Sequence, residues 1–225
     1  MPNSPLVVFD LDGTLADTAE DLIAILNQLL EEERMETMPT SEAGALIGAG
    51  ARALISRGFA RAGAELAPEK LEALFEVFLE RYAANICTET RLYPGALEAM
   101  DRLSAEGYGL AVCTNKPERH SLLLLEALGV LGRFRAIAGR DTFPFFKPDP
   151  RHLTLTIDRA GGDAARSVMI GDSLTDITTA KAAGVPVIAV PFGYTDRPVA
   201  ELGPDLLIEH FDELADAVAR VMAGR

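Results

Sequence analysis

The chain has 225 residues, 48% hydrophobic and 24% charged, which excludes wholesale disorder and allows one large domain or one domain carrying a smaller insert. Its formal charge of −13 makes anionic partners unfavourable, so neither nucleic acid nor an anionic membrane surface is expected to bind. Cys87 and Cys113 form no zinc-ligand spacing, the start lacks a signal-peptide pattern, and no apolar run nears the roughly 20 residues of a membrane span, so a reduced, cytoplasmic protein is expected.

The first apolar run, Leu6 to Phe9, is short, partly β-branched and bounded by Pro5 and Asp10, as suits a buried strand. From Thr18 to Arg91 no strand pattern follows. Leu22, Ile25, Leu26, Leu29 and Leu30 recur at the helical period, as do Leu71, Leu74, Phe75, Phe78 and Leu79, with Pro39, Gly48, Gly50, Gly63 and Pro68 as punctuation. About 70 residues of helix exceed any single crossover. The expectation is an inserted helical domain at 17–92, cut near Asp17 and Tyr93, within a core domain of 1–16 and 93–225. Beyond Tyr93, apolar runs at 110–113, 136–138, 168–170 and 185–190 alternate with helical patterns at 94–106, 117–128, 150–160 and 174–183. That order predicts an α/β fold with a parallel sheet covered on both faces. Pro117 and Pro150 fall in first helical turns, and Gly107, Gly129 and Gly184 fall just past helix ends. A last helix, 211–222, places Leu214, Val218 and Val221 on one side, to cover the sheet.

Glu31, Glu32, Glu33, Asp212, Glu213 and Asp216 lie on helical segments and read as solvated faces. Asp10, Asp12, Asp172 and Asp176 instead follow directly on apolar strands, where open parallel sheets bind their ligands. A single such Asp reads equally well as a helix cap; two clusters, each at a strand end, point to a site. Clustered carboxylates repel one another unless a cation joins them, and oxygen-only ligands favour Mg²⁺. No His or Cys accompanies the cluster, so zinc is not expected; His120, His152 and His210 read as surface or helix-terminal residues.

Carboxylates with magnesium suggest phosphoryl chemistry, which needs donors on the phosphoryl oxygens. Thr114-Asn115 ends a strand before the helix begun by Pro117, and Lys147 sits in the stiff turn Phe146-Lys147-Pro148-Asp149-Pro150. Taken singly, Thr114 reads as a helix cap and Lys147 as a solvated lysine. The chain has no GxxxxGK[ST] loop, and Gly48-Ala49-Gly50 follows no strand, so neither a P-loop nor a dinucleotide fingerprint is present.

In chain order, Phe9-Asp10-Leu11-Asp12-Gly13-Thr14-Leu15, Thr114, Lys147 and Gly171-Asp172-Ser173-Leu174-Thr175-Asp176 resemble the four motifs of the haloacid-dehalogenase superfamily of phosphohydrolases, over essentially the whole chain. The resemblance implies a Rossmann-like core, and the helical insert is similar to that superfamily's C1-type cap. Within it, Asp17-Thr18-Ala19-Glu20-Asp21-Leu22, Gly48-Ala49-Gly50 before Arg52, and Thr114-Asn115-Lys116-Pro117 look like phosphoglycolate phosphatases. The same resemblance implies roles for the site residues. By it, Asp10 attacks phosphorus and becomes an aspartyl-phosphate, while Asp12 protonates the leaving alkoxide and then activates water. Asp10, the Asp12 backbone carbonyl and Asp172 hold Mg²⁺, with Asp176 as an anchor behind them, for Lys147. Thr114, Asn115 and Lys147 hold the phosphoryl group. Asp at position 12 argues against the dehalogenase branch. Arg52 is the candidate for a substrate carboxylate, although a solvated helix arginine fits the same position. Lys70, the only lysine of the insert, sits at a helix start and is discounted as a Schiff-base lysine. The expected activity is Mg²⁺-dependent hydrolysis of small phosphate monoesters, 2-phosphoglycolate foremost, by a monomer or homodimer whose partner is a small phosphorylated metabolite. A sugar-phosphate phosphatase or phosphomutase is the alternative. A non-catalytic binding module is opposed by the intact set Asp10, Asp12, Thr114, Lys147 and Asp172.

Overall fold

The computed structural model describes residues 4–42, 44–48, 50–195 and 197–223; Ala49 of the Gly48-Ala49-Gly50 segment lies outside them. The chain runs β1 (Ser4–Phe9), β2 (Ala16–Asp17), α1 (Ala19–Glu32), α2 (Gly44–Ile47), α3 (Ala51–Arg61), α4 (Pro68–Ala84) and β3 (Arg91–Leu92). It continues through α5 (Ala96–Ala105), β4 (Gly109–Cys113), α6 (Glu118–Ala127), β5 (Ala136–Ala138), α7 (Pro150–Arg159), β6 (Gly162–Gly171), α8 (Leu174–Ala182), β7 (Val187–Ala189), β8 (Leu206–Leu207) and α9 (Leu214–Ala223). Among the described residues no helix is long and apolar enough to cross a membrane.

Six strands form one parallel sheet in the order β5-β4-β1-β6-β7-β8. The α/β fold expected from alternating strand and helix patterns is therefore present. Successive side chains of a strand face opposite sides, and the core divides accordingly. Val7, Phe9, Val112 and Ile170 pack with residues of α5, α6 and α9, whereas Leu6, Val8, Cys113 and Met169 pack with residues of α7 and α8. Full burial of each such leucine or valine contributes roughly 1.5–3 kcal/mol. The final helix behaves as its period required, with Leu214 and Val218 wholly buried and Val221 partly so. Gly107, Gly129 and Gly184 take φ of +91°, +73° and +66°, the left-handed stop that glycine adopts at little cost.

Residues of α1 to α4 enclose a separate apolar core built on Leu22, Leu26, Leu30, Phe59, Phe75 and Phe78. Gly58 of α3 permits this packing, because a Cβ there would stand 2.6 Å from Leu26 Cδ2. The chain leaves and re-enters the α/β layer through the antiparallel pair β2–β3, where Ala16 faces Leu92 and Asp17 faces Arg91. These two-residue strands, like β8, are too short to show an alternation in sequence. Asp21, buried in the first turn of α1, locks the returning segment. Its carboxylate accepts from the Glu89 and Thr90 amides at 2.9 Å and from the Thr90 hydroxyl at 2.7 Å.

Replacing Asp21 leaves those three donors without their acceptor. Asp21→Ala is expected to destabilise the protein by about 3 kcal/mol in urea unfolding. Glu32→Ala, which breaks an exposed pair with Arg81, is expected to cost no more than about 0.5 kcal/mol.

Candidate active site

The parallel register sets the site. Phe9 is level with Val112 on one side and Ile170 on the other, so the residues just past these three strands emerge at one rim. Those residues include Asp10, Thr114 and Asp172. The rim is also where strand order reverses, since the chain passes from β1 to β4 and β5 on one flank and places β6 to β8 on the other.

Asp10 accepts a hydrogen bond from the Leu11 amide at 2.7 Å, and its Oδ1 lies 3.0 Å from the Lys147 ammonium. Lys147 is 2% exposed and donates at 2.6 Å to Asp176, which is 0% exposed. The second Asp176 oxygen accepts from the Ser173 hydroxyl and amide in a capping box on α8, so both its oxygens are committed. Asp172 accepts from the Thr14 hydroxyl and from the Tyr194 amide, each at 2.7 Å. Two glycines bring neighbouring loops onto it. A Cβ at Gly13, whose φ is +80°, would meet Asp172 Oδ2 at 2.6 Å, and one at Gly193 would meet Asp172 Cβ at 2.3 Å.

Oxygens of the buried Asp10, Asp172 and Asp176 lie within 4.8 Å of one another. Lys147 is the only cation bonded directly to them among the described residues, so full ionisation leaves two negative charges uncompensated. Burial pushes Asp10 up to about 6, opposed by Lys147 and assisted by Asp176. Burial, with Asp176 and Asp10, pushes Asp172 up to about 8. Burial opposes the charge of Lys147, but its two carboxylates carry its pKa upward. The donors are all carboxylate oxygens and the deficit is two charges, which fits a hard divalent cation. Asp12 adds no carboxylate oxygen to the cluster; its Oδ1 is turned to Lys116 Nζ at 2.8 Å.

The loop carrying Lys147 is fixed by its neighbours. Asn115 donates to the Lys147 carbonyl at 3.0 Å, and Asp149 caps α7 by accepting from the Arg151 amide. His152 Nδ1 accepts the Lys147 amide at 3.2 Å, and its other ring nitrogen meets the Gly139 carbonyl at 3.1 Å. Burial and the nearby ammonium push this imidazole down to about 4. His152 and His120 lie in first helical turns, yet neither is a surface residue, being 0% and 5% exposed; of the three histidines only His210 is exposed. Sequence spacing locates their helices and not the elements packed above them.

A narrow cavity of about 60 Å³ lies between the rim and the helical layer, bordered by Asp10, Asp12, Thr114, Asn115, Lys116 and Asp172 from below. Leu22, Ile47, Leu54, Phe78 and Tyr82 close it from above. Arg52 is not brought to this cavity. It makes a paired hydrogen bond with Glu72, at 2.8 Å on both arms, and stacks on the Phe75 ring 3.6 Å away. The expectation that Arg52 meets a substrate is thus not met in this arrangement, because an acidic and an aromatic partner on α4 hold its guanidinium. Lys70 pairs with Glu33 on the exposed side of the helices. Tyr82 and Tyr194 carry no site signal in the sequence, and Lys116 enters it only as part of Thr114-Asn115-Lys116-Pro117; all three border the cavity. Lys116 is within reach of a sequence argument, since it directly follows Thr114-Asn115; Tyr82 looks like any apolar-face residue of α4.

The sequence model described as haloacid dehalogenase-like hydrolase matches residues 7–190. A phosphoglycolate phosphatase of Mesorhizobium japonicum is 51% identical over 96% of this chain and 95% of its own length. One of Agrobacterium fabrum is 48% identical over 100% and 96%. Among solved structures, a predicted phosphoglycolate phosphatase from Haemophilus somnus superposes with a TM-score of 0.87 at 31% identity, over 96% of this chain and 99% of that one. CbbY from Rhodobacter sphaeroides, in complex with phosphate, superposes at 0.78 with 28% identity, over 94% and 96%. With its acidic rim, its buried lysine and a family match spanning every strand that carries them, the chain belongs to the haloacid dehalogenase-like hydrolases.

Proposed function

We propose that this phosphoric monoester hydrolase acts on small phosphate monoesters, with 2-phosphoglycolate as its preferred substrate, by transferring the phosphoryl group to Asp10. The observation that carries the reading is the placement of Lys147 between Asp10 and Asp176, which holds one buried carboxylate oriented at the rim of a cavity that Asp12 also borders. The substrate preference is supported by the names of relatives at 51% and 48% identity.

In the proposed sequence, a bond forms between an Asp10 carboxylate oxygen and phosphorus while the bond from phosphorus to the ester oxygen breaks. Asp12 delivers its proton to the departing alkoxide. The resulting carboxylate then takes a proton from water, the hydroxide attacks the aspartyl-phosphate, and phosphate leaves Asp10. In this reading Thr114 and Asn115, at the end of β4, would donate to phosphoryl oxygens, and Lys147 would keep Asp10 aligned. Asp10, Asp172 and the Asp12 backbone carbonyl would hold Mg²⁺, Asp176 being occupied by Lys147 and Ser173. Bound there, the ion supplies the positive charge that lets a phosphate dianion approach a carboxylate. Residues of the helical layer cover the cavity, so movement of that layer would admit an ester and its return would exclude water. We assign that mobile-cap role to residues 17–92, with the β2–β3 pair as its hinge. CbbY from Rhodobacter sphaeroides has been crystallised with xylulose-1,5-bisphosphate as its D10N mutant. A sugar-phosphate substrate is therefore the comparison to make, and turnover of 2-phosphoglycolate beside sugar phosphates and pyrophosphate tests the preference.

Asp10→Asn is expected to lower kcat by at least about 10³-fold while leaving circular dichroism intact; activity above that level removes Asp10 from its role. Asp12→Asn is expected to slow both formation and breakdown of the aspartyl-phosphate. Acid-quenched labelling checks it, and a normal breakdown rate contradicts water activation by Asp12. The raised carboxylates also set a pH dependence. Between the ordinary value of 3.8 and about 8 the folded state binds more protons than the unfolded chain, so metal-free stability falls as pH rises through that window. Calorimetry is expected to show Tm declining across it and Mg²⁺ raising Tm most at its upper end; a flat profile indifferent to Mg²⁺ contradicts the charge account.

A further inference from the structure

A substrate with a carboxylate needs a counter-charge at the organic end of the cavity. Arg52 is engaged elsewhere, and burial holds His120 below its ordinary value, leaving it short of charge. Among the described residues that border the cavity, Lys116 is the one lysine or arginine. Its side chain is 4% exposed, and its ammonium donates to Asp12 Oδ1 at 2.8 Å and to the Tyr82 hydroxyl at 2.9 Å. An ammonium has three N–H groups, and the third has no acceptor among the described residues. Tyr82 belongs to α4 of the helical layer, so the ammonium is fixed from both sides of the cavity at once.

We propose that Lys116 determines specificity by binding the substrate carboxylate with that remaining N–H, and that the enzyme therefore selects phosphate esters of short 2-hydroxy acids. This role deepens the phosphatase reading and rests on it. Its geometry is short-range. If Asp12 exchanges a proton with the ester oxygen, its carboxylate lies against that oxygen, and Lys116 Nζ stands one hydrogen bond from Asp12. A carboxylate on the carbon bearing the ester oxygen falls beside Lys116. Each added methylene pushes it past the ammonium into the apolar wall of Leu22, Ile47, Leu54 and Phe78. That wall also leaves sugar hydroxyls without partners, which penalises polyhydroxylated esters.

The test compares 2-phosphoglycolate, the phosphate ester of 3-hydroxypropionate, and ethyl phosphate, which lacks a carboxylate. For the wild type, kcat/KM is expected to be highest for 2-phosphoglycolate by about tenfold or more. Lys116→Met is expected to raise KM for 2-phosphoglycolate by about 30-fold or more while moving KM for ethyl phosphate by less than about threefold. Any loss of kcat through Asp12 is then common to both esters. Lys116→Arg is expected to recover part of the lost affinity. Should Lys116→Met fail to fold, Tyr82→Phe, which keeps the ammonium and removes one of its two anchors, is expected to raise KM for 2-phosphoglycolate selectively by about three- to tenfold. Equal KM changes for the two esters assign Lys116 to Asp12 alone and overturn the proposal, as does a selective KM rise in Arg52→Ala. A wild type that cleaves ethyl phosphate with no preference for 2-phosphoglycolate overturns the proposal and leaves the phosphatase standing, whereas no cleavage of any ester overturns the reading beneath it.

Discussion

The ammonium of Lys147, wedged between Asp10 and Asp176 inside the protein, is the contact on which the site depends. Removing three charged groups from water is costly, and their mutual attraction repays that cost only where geometry and further hydrogen bonds are good. The chain supplies both. The Lys147 backbone is held at its amide by His152 and at its carbonyl by Asn115, while Asp176 is locked into the first turn of α8 by Ser173. One ammonium still does not balance Asp10, Asp172 and Asp176. The residual negative charge makes the metal-free site strained electrostatically and receptive to a dication.

The same rim is tied to the helical layer at several points. Tyr194 donates its amide to Asp172 and its hydroxyl to Asp17, and the Thr18 amide donates back to that hydroxyl. One residue thus links the acidic cluster to the strand pair through which the layer is attached. On the far side, Lys116 meets Tyr82 and His120 meets the Leu79 carbonyl. These are directional contacts between two separately packed cores. The apolar residues facing the cavity, Leu22, Ile47, Leu54 and Phe78, add no charge of their own.

Much of this was legible in the residues alone because it depends on local periodicity. The alternation of short apolar runs with helical patterns named the parallel sheet, and the 3.6-residue period of Leu22 to Leu30 named α1. Acids placed directly after strands named the rim, since in a parallel sheet every strand ends on the same side. Lys147, isolated among prolines, was legible only by its company with Asp10 and Asp172. The two-residue strands β2, β3 and β8 were not legible, having no room for a pattern.

The fold class and the rim that carries Asp10, Thr114 and Asp172 follow from short segments, as does the expectation of a cation there, because strand order and carboxylate repulsion are local properties. How distant side chains pair is settled by the packing of one element on another. Arg52 stands in the expected stretch of the helical layer, but Glu72 and Phe75, a helix away, take its guanidinium. In sequence Lys116 is only one member of Thr114-Asn115-Lys116-Pro117, and it is the fold that brings Asp12 and Tyr82 to either side of it. A charged side chain on a long, flexible stem goes to whichever partner the packing presents, and no local pattern encodes that choice.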